Sequence, residues 1–312
     1  MLARCGAAMS LDLEDAVDVA LASSDAESSP LAHSATSRPS ILDLPHGLHF
    51  DVPPEVYYEK ILGVANATAL KSLARTPAHY RAWFDDGDQD SEALAFGRAF
   101  HMAILEPEAF DAEYTLEPIF GDCRKKENKA NRDAWRAENA GKKLLSQEAF
   151  ASIRGMSRAL QAHPEASALI ARARTEVTLR WRDPATGLEC KGRADGLVET
   201  DAVRVCFDLK TTDDAGANAF ARSCATYRYH VQQAFYAGGF LAIGRPLDAF
   251  LFVAVEKSAP FAVAVYQLSE RAEKRGRELA ARDLQRLADA CERDAWPAYP
   301  DHITELELPA WA

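Results

Sequence analysis

Apolar and polar residues alternate in the second half of the chain, a pattern typical of half-buried β-strands. The alternation predicts five strands, at residues 175–182, 188–199, 203–210, 249–256 and 261–268. Helical periodicity predicts helices at residues 66–84, with a break at Thr76–Pro77, and at residues 91–105, 226–243 and 270–294. This order predicts an α/β (α+β) fold in which a mixed sheet packs against flanking helices.

The first 46 residues differ in composition from the rest of the chain. They are rich in Ala, Ser and Asp and contain no Phe, Tyr or Trp. Low aromatic content with excess negative charge predicts an acidic, disordered tail. Residues 47–312 are expected to form a single domain. Its first part, 47–174, is mainly helical and includes a basic segment, and its second part, 175–312, contains the sheet and its flanking helices.

The chain has 312 residues and a formal net charge of −11, which argues against a protein that coats nucleic acid non-specifically. It does not argue against a DNA enzyme with a local basic groove. Residues 121–182 are basic, and such a segment forms either a solvated helical face or a surface that follows phosphates. The sequence contains no run of about 18 apolar residues and no secretory pattern. We therefore expect a cytoplasmic protein without membrane contact.

The six cysteines do not cluster and include no C-x-x-C pair. Zinc and iron–sulfur sites need clustered thiolates, so the sequence predicts reduced thiols and no iron–sulfur cluster.

Two acidic residues flank the hairpin between the second and third predicted strands. Asp208 and Lys210 share one face of the third strand, and alternation places Asp195 with Lys191 and Arg193 on one face of the second. A symmetric register would bring Asp195 opposite Asp208, with Cβ atoms roughly 5 Å apart. Two facing carboxylates are destabilising unless a cation lies between them or one is protonated, and oxygen donors suit Mg²⁺ or Mn²⁺. The alternative is a solvated hairpin with unrelated surface charges.

Three further polar residues lie on predicted helices. Gln232 and Tyr236 are four residues apart on a helix otherwise filled with apolar side chains, so both need a polar partner. His101 lies on an apolar helix face, where a satisfied core histidine is more frequent than a metal ligand. Glu176, on the first strand, is a candidate for an additional acid near the site.

Several segments, in the expected order, resemble the exodeoxyribonuclease VIII (RecE-like) branch of the PD-(D/E)xK nucleases, in the lambda-exonuclease-like superfamily. They are residues 72–80 (SLARTPAHY), 96–101 (FGRAFH), 192–196 (GRADG), 208–212 (DLKTT) and 229–236 (YHVQQAFY). The resemblance implies a restriction-endonuclease-like core and a bound Mg²⁺ or Mn²⁺ ion. The implied ligands are His101, Asp195, Asp208 and the backbone carbonyl of Leu209.

The resemblance also implies roles for three other side chains. Lys210 would orient and help to deprotonate the attacking water, and Gln232 and Tyr236 would hold the scissile strand or the terminal phosphate. The implied activity is 5′→3′ digestion of duplex DNA ends, which leaves a 3′ single strand for recombination by annealing. The implied partners are a single-strand annealing (RecT-like) protein and further copies of the chain in a ring. Candidates for DNA contact are Lys71, Ser72, Arg193, Arg222 and Arg228.

Three alternatives remain open on sequence grounds. The first is a structure-specific or single-strand endonuclease of the same fold. The second is a catalytically silent DNA-binding or assembly module, and the third is a metal-dependent hydrolase with another substrate. Cleavage of a covalently closed circle distinguishes the first, and loss of one of the predicted site residues would favour the second.

Overall fold

The computed structural model describes residues 39–86 and 91–308, which belong to the compact unit Pro39–Ala312. Residues 1–38 of the predicted tail lie outside the described residues. Within the last part of that predicted tail, Ile41–Asp43 forms a short 3-10 helix capped by Ser40, and Ile41 is buried. The boundary at residue 46 stays a prediction.

The strands lie mostly where alternation predicts them. They are β1 (Gly47–His49), β2 (Tyr114–Leu116), β3 (Lys143–Leu145), β4 (Arg174–Arg182), β5 (Glu189–Glu199), β6 (Arg204–Thr212), β7 (Ala249–Glu256) and β8 (Val263–Gln267). The helices are α1 (Pro54–Tyr57), α2 (Ala67–Leu73), α3 (Pro77–Asp86), α4 (Glu92–Leu105), α5 (Pro107–Glu113), α6 (Lys126–Glu138), α7 (Gln147–Ala162), α8 (Pro164–Arg172), α9 (Ala217–Thr226), α10 (Tyr229–Ala242) and α11 (Glu270–Arg293).

The central sheet is mixed, as predicted. Its strand order is β1-β4-β5-β6-β7-β8, and β6 and β7 are parallel while the other neighbours are antiparallel. A parallel pair needs a crossover connection, which α9 and α10 provide here. Gly196 lies opposite Phe207 and Leu197 opposite Cys206, so the β5–β6 hairpin has the predicted symmetric register.

Apolar side chains cover both faces of this sheet. One core cluster contains residues of α2, α10 and α11, such as Leu70, Phe235 and Leu287. The other contains residues of α4, α7 and α8, such as Phe100 and Met156. The fold is therefore three-layered, with a helical layer on each face. In the described part of the chain no helix is long and apolar enough to cross a membrane.

The single helix predicted at residues 226–243 is wrong at its start. The helix at this position is α10, which begins at Tyr229 because Arg228 before it adopts the left-handed conformation (φ 61°). Helix α9, which ends at Thr226, was not predicted. No glycine or proline marks this position, so periodicity alone extends the helix through it.

The first part of the basic segment lies in a small lobe between α5 and α7, and the rest forms α7, α8 and β4. Strands β2 and β3 pair in parallel, and α6 lies in the connection between them. None of the 13 residues of α6 is buried. Ion pairs between Arg136 and Glu117 and between Lys143 and Glu113 hold the lobe together.

Candidate active site

The β5 strand is irregular at Asp195. Pairing between β4 and β5 is regular on both sides of Glu176 and Asp195 but skips these two residues, and Glu176 has a positive φ of 51°. The β5–β6 pairing ends at Gly196 and Phe207. Beyond this point the Asp195 carboxylate accepts a hydrogen bond from the backbone N–H of Leu209 at 2.7 Å. Where β5 and β6 separate, the side chain of Asp195 therefore takes the place of a backbone carbonyl as the acceptor for the Leu209 N–H.

The predicted strict alternation in this strand is wrong. Ala194 and Leu197 contribute to the same core cluster although they are three residues apart, so the alternation breaks between them. Arg193 reaches the backbone carbonyl of Val52, whereas Asp195 reaches the neighbouring strand. The positive φ of Glu176 accompanies this change of direction.

Asp208, Lys210 and Gln232 form a closed polar triangle. The Gln232 amide donates a hydrogen bond to one oxygen of Asp208 and accepts one from Lys210 Nζ at 3.1 Å. Lys210 forms an ion pair with the other Asp208 oxygen, which accepts no hydrogen bond of good geometry. Asp208 is 2 % exposed, and the Lys210 ammonium also lies 4.6 Å from the centre of the Tyr229 ring. Gln232 therefore has the polar partner that its position requires.

His101 lies at the edge of this group and is not enclosed in the core. Its Nδ1 atom is 3.4 Å from Asp195 Oδ2, and its side chain is 29 % exposed. Helix α4 brings it from one face of the sheet, and α10 brings Gln232 from the other. His101 and Gln232 therefore reach the two aspartates from opposite faces of the sheet, at the point where β5 and β6 separate.

Tyr236 joins α10 to β5. Its hydroxyl donates to the Arg193 carbonyl at 3.0 Å and accepts from the Arg193 N–H at 3.4 Å. A Cβ atom at Gly192 would lie 2.9 Å from the Tyr236 ring, so the close approach depends on glycine there. The hydroxyl is occupied by the backbone, and its predicted contact with the scissile strand stays a prediction.

Helix α11 fixes the first turn of α10. The guanidinium of Arg228 forms an ion pair with the fully buried Asp283 of α11. At Gly276 of α11, a Cβ atom would collide with the His230 carbonyl. This packing sets the position of Gln232, which lies one turn after Arg228.

Burial and like charge make the ionised form of Asp195 unfavourable. Desolvation, followed by the charge of Asp208, raises the pKa of Asp195 to about 6. Burial opposes the charged form of Lys210, but Asp208 and Asp195 outweigh it and raise the pKa of the ammonium. Burial and the charge of Asp195 likewise raise the pKa of Glu176 to about 8. Asp195 and Asp208 both interact with the single ammonium of Lys210, which favours an additional positive charge beside them.

The donor set fits a hard divalent ion. Among residues 39–86 and 91–308, no three His, Cys, Asp or Glu side chains already form a group that could hold a metal. Mg²⁺ does not need such a cage, since one or two carboxylates, water and substrate phosphate usually complete its shell. Asp195, Asp208 and the carbonyl of Leu209 supply oxygen donors, and His101 supplies an imidazole.

These side chains share one cavity of about 610 Å³. Its lining includes all six predicted side chains of the site, namely His101, Asp195, Asp208, Lys210, Gln232 and Tyr236. Residues that the sequence did not single out also line it, among them Tyr57, Tyr58, Arg98 and Lys143. Tyr58 is 64 % exposed. Its only sequence signal was an aromatic pair ahead of the first predicted helix.

The predicted DNA-contact residues divide into two groups. Arg193 is 8 % exposed and stacks on Tyr57 at 4.3 Å, and Arg228 is paired with Asp283, so both have partners within the protein. Lys71 and Arg222 are exposed, and Ser72 is half-buried. Contact of any of them with DNA stays a prediction.

Lys191 is a buried cation that positions the Tyr57–Tyr58 wall of the cavity. It is 4 % exposed, and Nζ donates to the carbonyls of Tyr57 and Glu59 at 2.5 and 2.6 Å. Burial lowers the pKa of Lys191 from 10.5 to about 8, although the charge of Glu59 opposes the shift.

We expect this buried lysine to make stability depend on pH. Between pH 8 and 10.5 the unfolded chain binds the Lys191 proton more tightly than the folded chain, so the free energy of unfolding rises with pH by up to about 3 kcal/mol. Denaturant titrations across this range, on wild type and on Lys191→Met, measure the rise. The variant should lack it, and parallel curves would contradict the assignment.

The three-layered fold and the Asp–x–Lys site beside a second aspartate define a PD-(D/E)xK-type protein. Residues 66–308 match the family described as a PDDEXK-like domain of unknown function (DUF3799), and the chain belongs to this family. The family lies in the PD-(D/E)xK nuclease superfamily, which confirms the superfamily implied by the sequence motifs. Membership of the RecE-like branch stays a prediction.

Solved structures similar to the chain include the following two. One is a protein from Eubacterium rectale named "putative exonuclease", which is 13 % identical, with a TM-score of 0.50; the match covers 84 % of this chain and 97 % of that one. At this identity the likeness shows a shared fold. The other is SSO0001, which is 15 % identical over 61 % of this chain and 85 % of that one, with a TM-score of 0.27. None of the curated proteins compared with the sequence matches it.

Proposed function

We propose that the protein is a divalent-metal-dependent exodeoxyribonuclease that digests duplex DNA from its ends in the 5′→3′ direction and leaves 3′ single strands. One observation carries the proposal. One cavity is lined by Asp195 from β5, by Asp208 and Lys210 from β6, and by Gln232 from α10. Within it the Lys210 ammonium contacts both the Asp208 carboxylate and the Gln232 amide oxygen. The name of the Eubacterium rectale structure agrees with this class of reaction.

The side chains of the cavity have different roles in the proposed phosphodiester hydrolysis. A bound Mg²⁺ or Mn²⁺ ion, held by His101, Asp195, Asp208 and the Leu209 carbonyl, would supply charge neutralisation at phosphorus. Lys210 has an ammonium that can hold the attacking water by a hydrogen bond and stabilise the negative charge that develops on the phosphate oxygens.

Gln232 keeps this machinery aligned. Its amide binds Asp208 through the nitrogen and Lys210 through the oxygen, so one side chain orients both. The same contact ties the strand residues to α10. We therefore assign Gln232 a positioning role, with contact to the scissile strand as a further part of the proposal.

The partners follow from the implied RecE-like activity. A 3′ single strand left by digestion is the substrate of an annealing protein, so we propose a RecT-like partner and a ring-shaped homo-oligomer that encloses DNA.

The proposal is tested on end-labelled linear duplex and on covalently closed circular DNA, each with Mg²⁺ and with a chelator. We expect Mg²⁺-dependent release of mononucleotides from the 5′ ends of the linear duplex, and an intact circle. Cleavage of the circle, which has no ends, would show that the protein is an endonuclease and would contradict the exonuclease assignment. No cleavage of any DNA would overturn the proposal.

The exposed cations of α6 and the residue before it are expected to bind DNA phosphates. Lys125, Lys126 and Lys129 are exposed, and none of them forms an ion pair with another residue in the described ranges. Replacing all three with Ala should weaken duplex binding equally for every sequence. The slope of log K against log salt should become shallower by about 2 to 3.

The matched control removes three exposed cations from α11, namely Arg271, Lys274 and Arg293. Both triple variants change the net charge equally. Equal salt slopes in fluorescence anisotropy titrations of the two variants would show that only net charge matters, and would contradict a phosphate contact at the lobe.

A further inference from the structure

A second cavity, of about 850 Å³, adjoins the catalytic cavity. Arg98, Tyr114 and Lys143 line both cavities, so the two share a wall of two cations and one aromatic ring. The second cavity lies between α4, the β2–β3 pair and α7. Nothing in the proposed reaction uses this space.

The lining of the second cavity combines cations with apolar surface. Lys257 joins Arg98 and Lys143 as a third cation. The apolar side chains are Phe96, Tyr114, Leu144 and Leu145, and the acids are Glu92 and Glu148. Three cations and two acids thus line the cavity, although the chain as a whole carries a net charge of −11. Lys143 also pairs with Glu113 and Lys257 with the exposed Asp213, so a phosphate would compete with these acids for the two ammonium groups.

This combination suits an unpaired nucleic-acid strand better than a duplex. A duplex presents phosphates to its surroundings and keeps its bases stacked inside, so apolar side chains gain little from it. A single strand exposes base faces as well as phosphates, and proteins bind it by placing aromatic or apolar groups beside cations. Tyr114 and Lys143 illustrate the arrangement, since the ammonium lies 5.4 Å from the ring centre.

Two side chains of the cavity are open to solvent. Leu144 is 50 % exposed on the three-residue strand β3, and the Lys143 side chain is 60 % exposed beside it. An apolar side chain that is half exposed next to a cation gains from a partner that covers both.

We infer that the second cavity is a track for a single DNA strand, namely the stretch of the scissile strand that flanks the bond being cut. The inference rests on the proposed function. Adjacency supports the assignment, because the strand that reaches Asp208 must extend out of the catalytic cavity, and the second cavity shares Arg98, Tyr114 and Lys143 with it. A few nucleotides beside the cut are then separated from their complement, while the lobe around α6 holds the duplex.

The test measures binding and needs no catalysis. Wild-type protein in a chelator is titrated against a 3′-labelled 12-nucleotide single strand of mixed sequence, and against a blunt duplex of the same sequence. The variant Leu144→Glu should weaken single-strand binding about tenfold and change duplex binding much less. Its matched control is Leu241→Glu, at a 65 % exposed leucine on α10, which covers the other face of the sheet.

A second pair of variants tests the cation. Lys143→Gln should make the salt slope for the single strand shallower by about 0.7, the effect of one phosphate contact. Lys274→Gln on α11 removes the same charge and should leave the slope unchanged. Both pairs are checked by thermal melting, so that a loss of folding is recognised and the other pair decides.

The outcomes separate the inference from the proposed function. If the wild type digests linear DNA but Leu144→Glu and Lys143→Gln bind the single strand like their controls, the track is wrong and the nuclease stands. If single-strand binding falls as expected but no DNA is cleaved, the second cavity binds a single strand, but the nuclease and the assignment of that strand as the scissile one are both wrong. Equal weakening of duplex and single-strand binding would overturn the track. So would a change in oligomeric mass of Leu144→Glu, measured by light scattering, because the groove would then be a contact between copies.

Discussion

Replacing Lys210 with Ala is expected to lower the rate of DNA hydrolysis about a thousandfold while DNA binding remains. The ammonium is the only cation in contact with Asp208 among the described residues, and it is fixed by Gln232 and by the Tyr229 ring. Alanine removes both the hydrogen-bond donor for water and the positive charge near the phosphate. Binding depends on other cations, so single-turnover cleavage of labelled duplex should change and anisotropy should not.

The control for this experiment is Lys274→Ala, which removes a lysine from the exposed side of α11. It should cleave at the wild-type rate. If Lys210→Ala also cleaved at that rate, Lys210 would have no part in the chemistry. Its contacts with Asp208 and Gln232 would then be structural only.

The second large effect is expected from Asp195→Asn, which should abolish cleavage and yet stabilise the metal-free protein. The wild-type carboxylate is buried beside Asp208, and both burial and like charge raise the pKa of Asp195 to about 6. At pH 7 the buried Asp195 carboxylate is ionised, and this lowers the free energy of unfolding by an amount on the order of 2 kcal/mol. Asparagine removes this charge and retains an oxygen that accepts the Leu209 N–H.

Metal should act in opposite ways on the two proteins. A ligand that binds only the folded state raises the melting temperature, so Mg²⁺ should stabilise the wild type and have little effect on Asp195→Asn. Thermal melts with Mg²⁺ and with a chelator measure this. Lys274→Ala, with both aspartates intact, should respond to Mg²⁺ like the wild type. A variant that is less stable than wild type without metal, or that still responds to Mg²⁺, would contradict the electrostatic argument.

Much of the sheet and its register could be predicted from the sequence. Alternation predicts both ends of β7 correctly and the ends of the other long strands within about two residues. It does so because each strand buries one or both of its faces in a continuous core. The register of the β5–β6 hairpin follows from its short turn. The sequence did not reveal the break between Ala194 and Leu197, since it depends on the positive φ of Glu176 and on contacts with other elements.

The helical half was harder to predict, and for physical reasons. Helix α6 has no buried residue, so it has no apolar stripe that periodicity could detect and was visible only as positive charge. Arg228, whose left-handed conformation separates α9 from α10, forms an ion pair with Asp283, 55 residues further along the chain, and local periodicity contains no signal for such a contact. Likewise, Tyr58 lines the cavity on a segment whose backbone carbonyls, at Tyr57 and Glu59, accept hydrogen bonds from the distant Lys191.

The packing of α11 against α10 has a consequence for the timing of activity during synthesis. The acids, the lysine and the glutamine are all translated before α11, but the first turn of α10 rests on Gly276 and Asp283. A nascent chain that ends before these residues lacks the surface that aligns Gln232. The candidate active site is therefore complete only after α11 has been translated and has packed against α10.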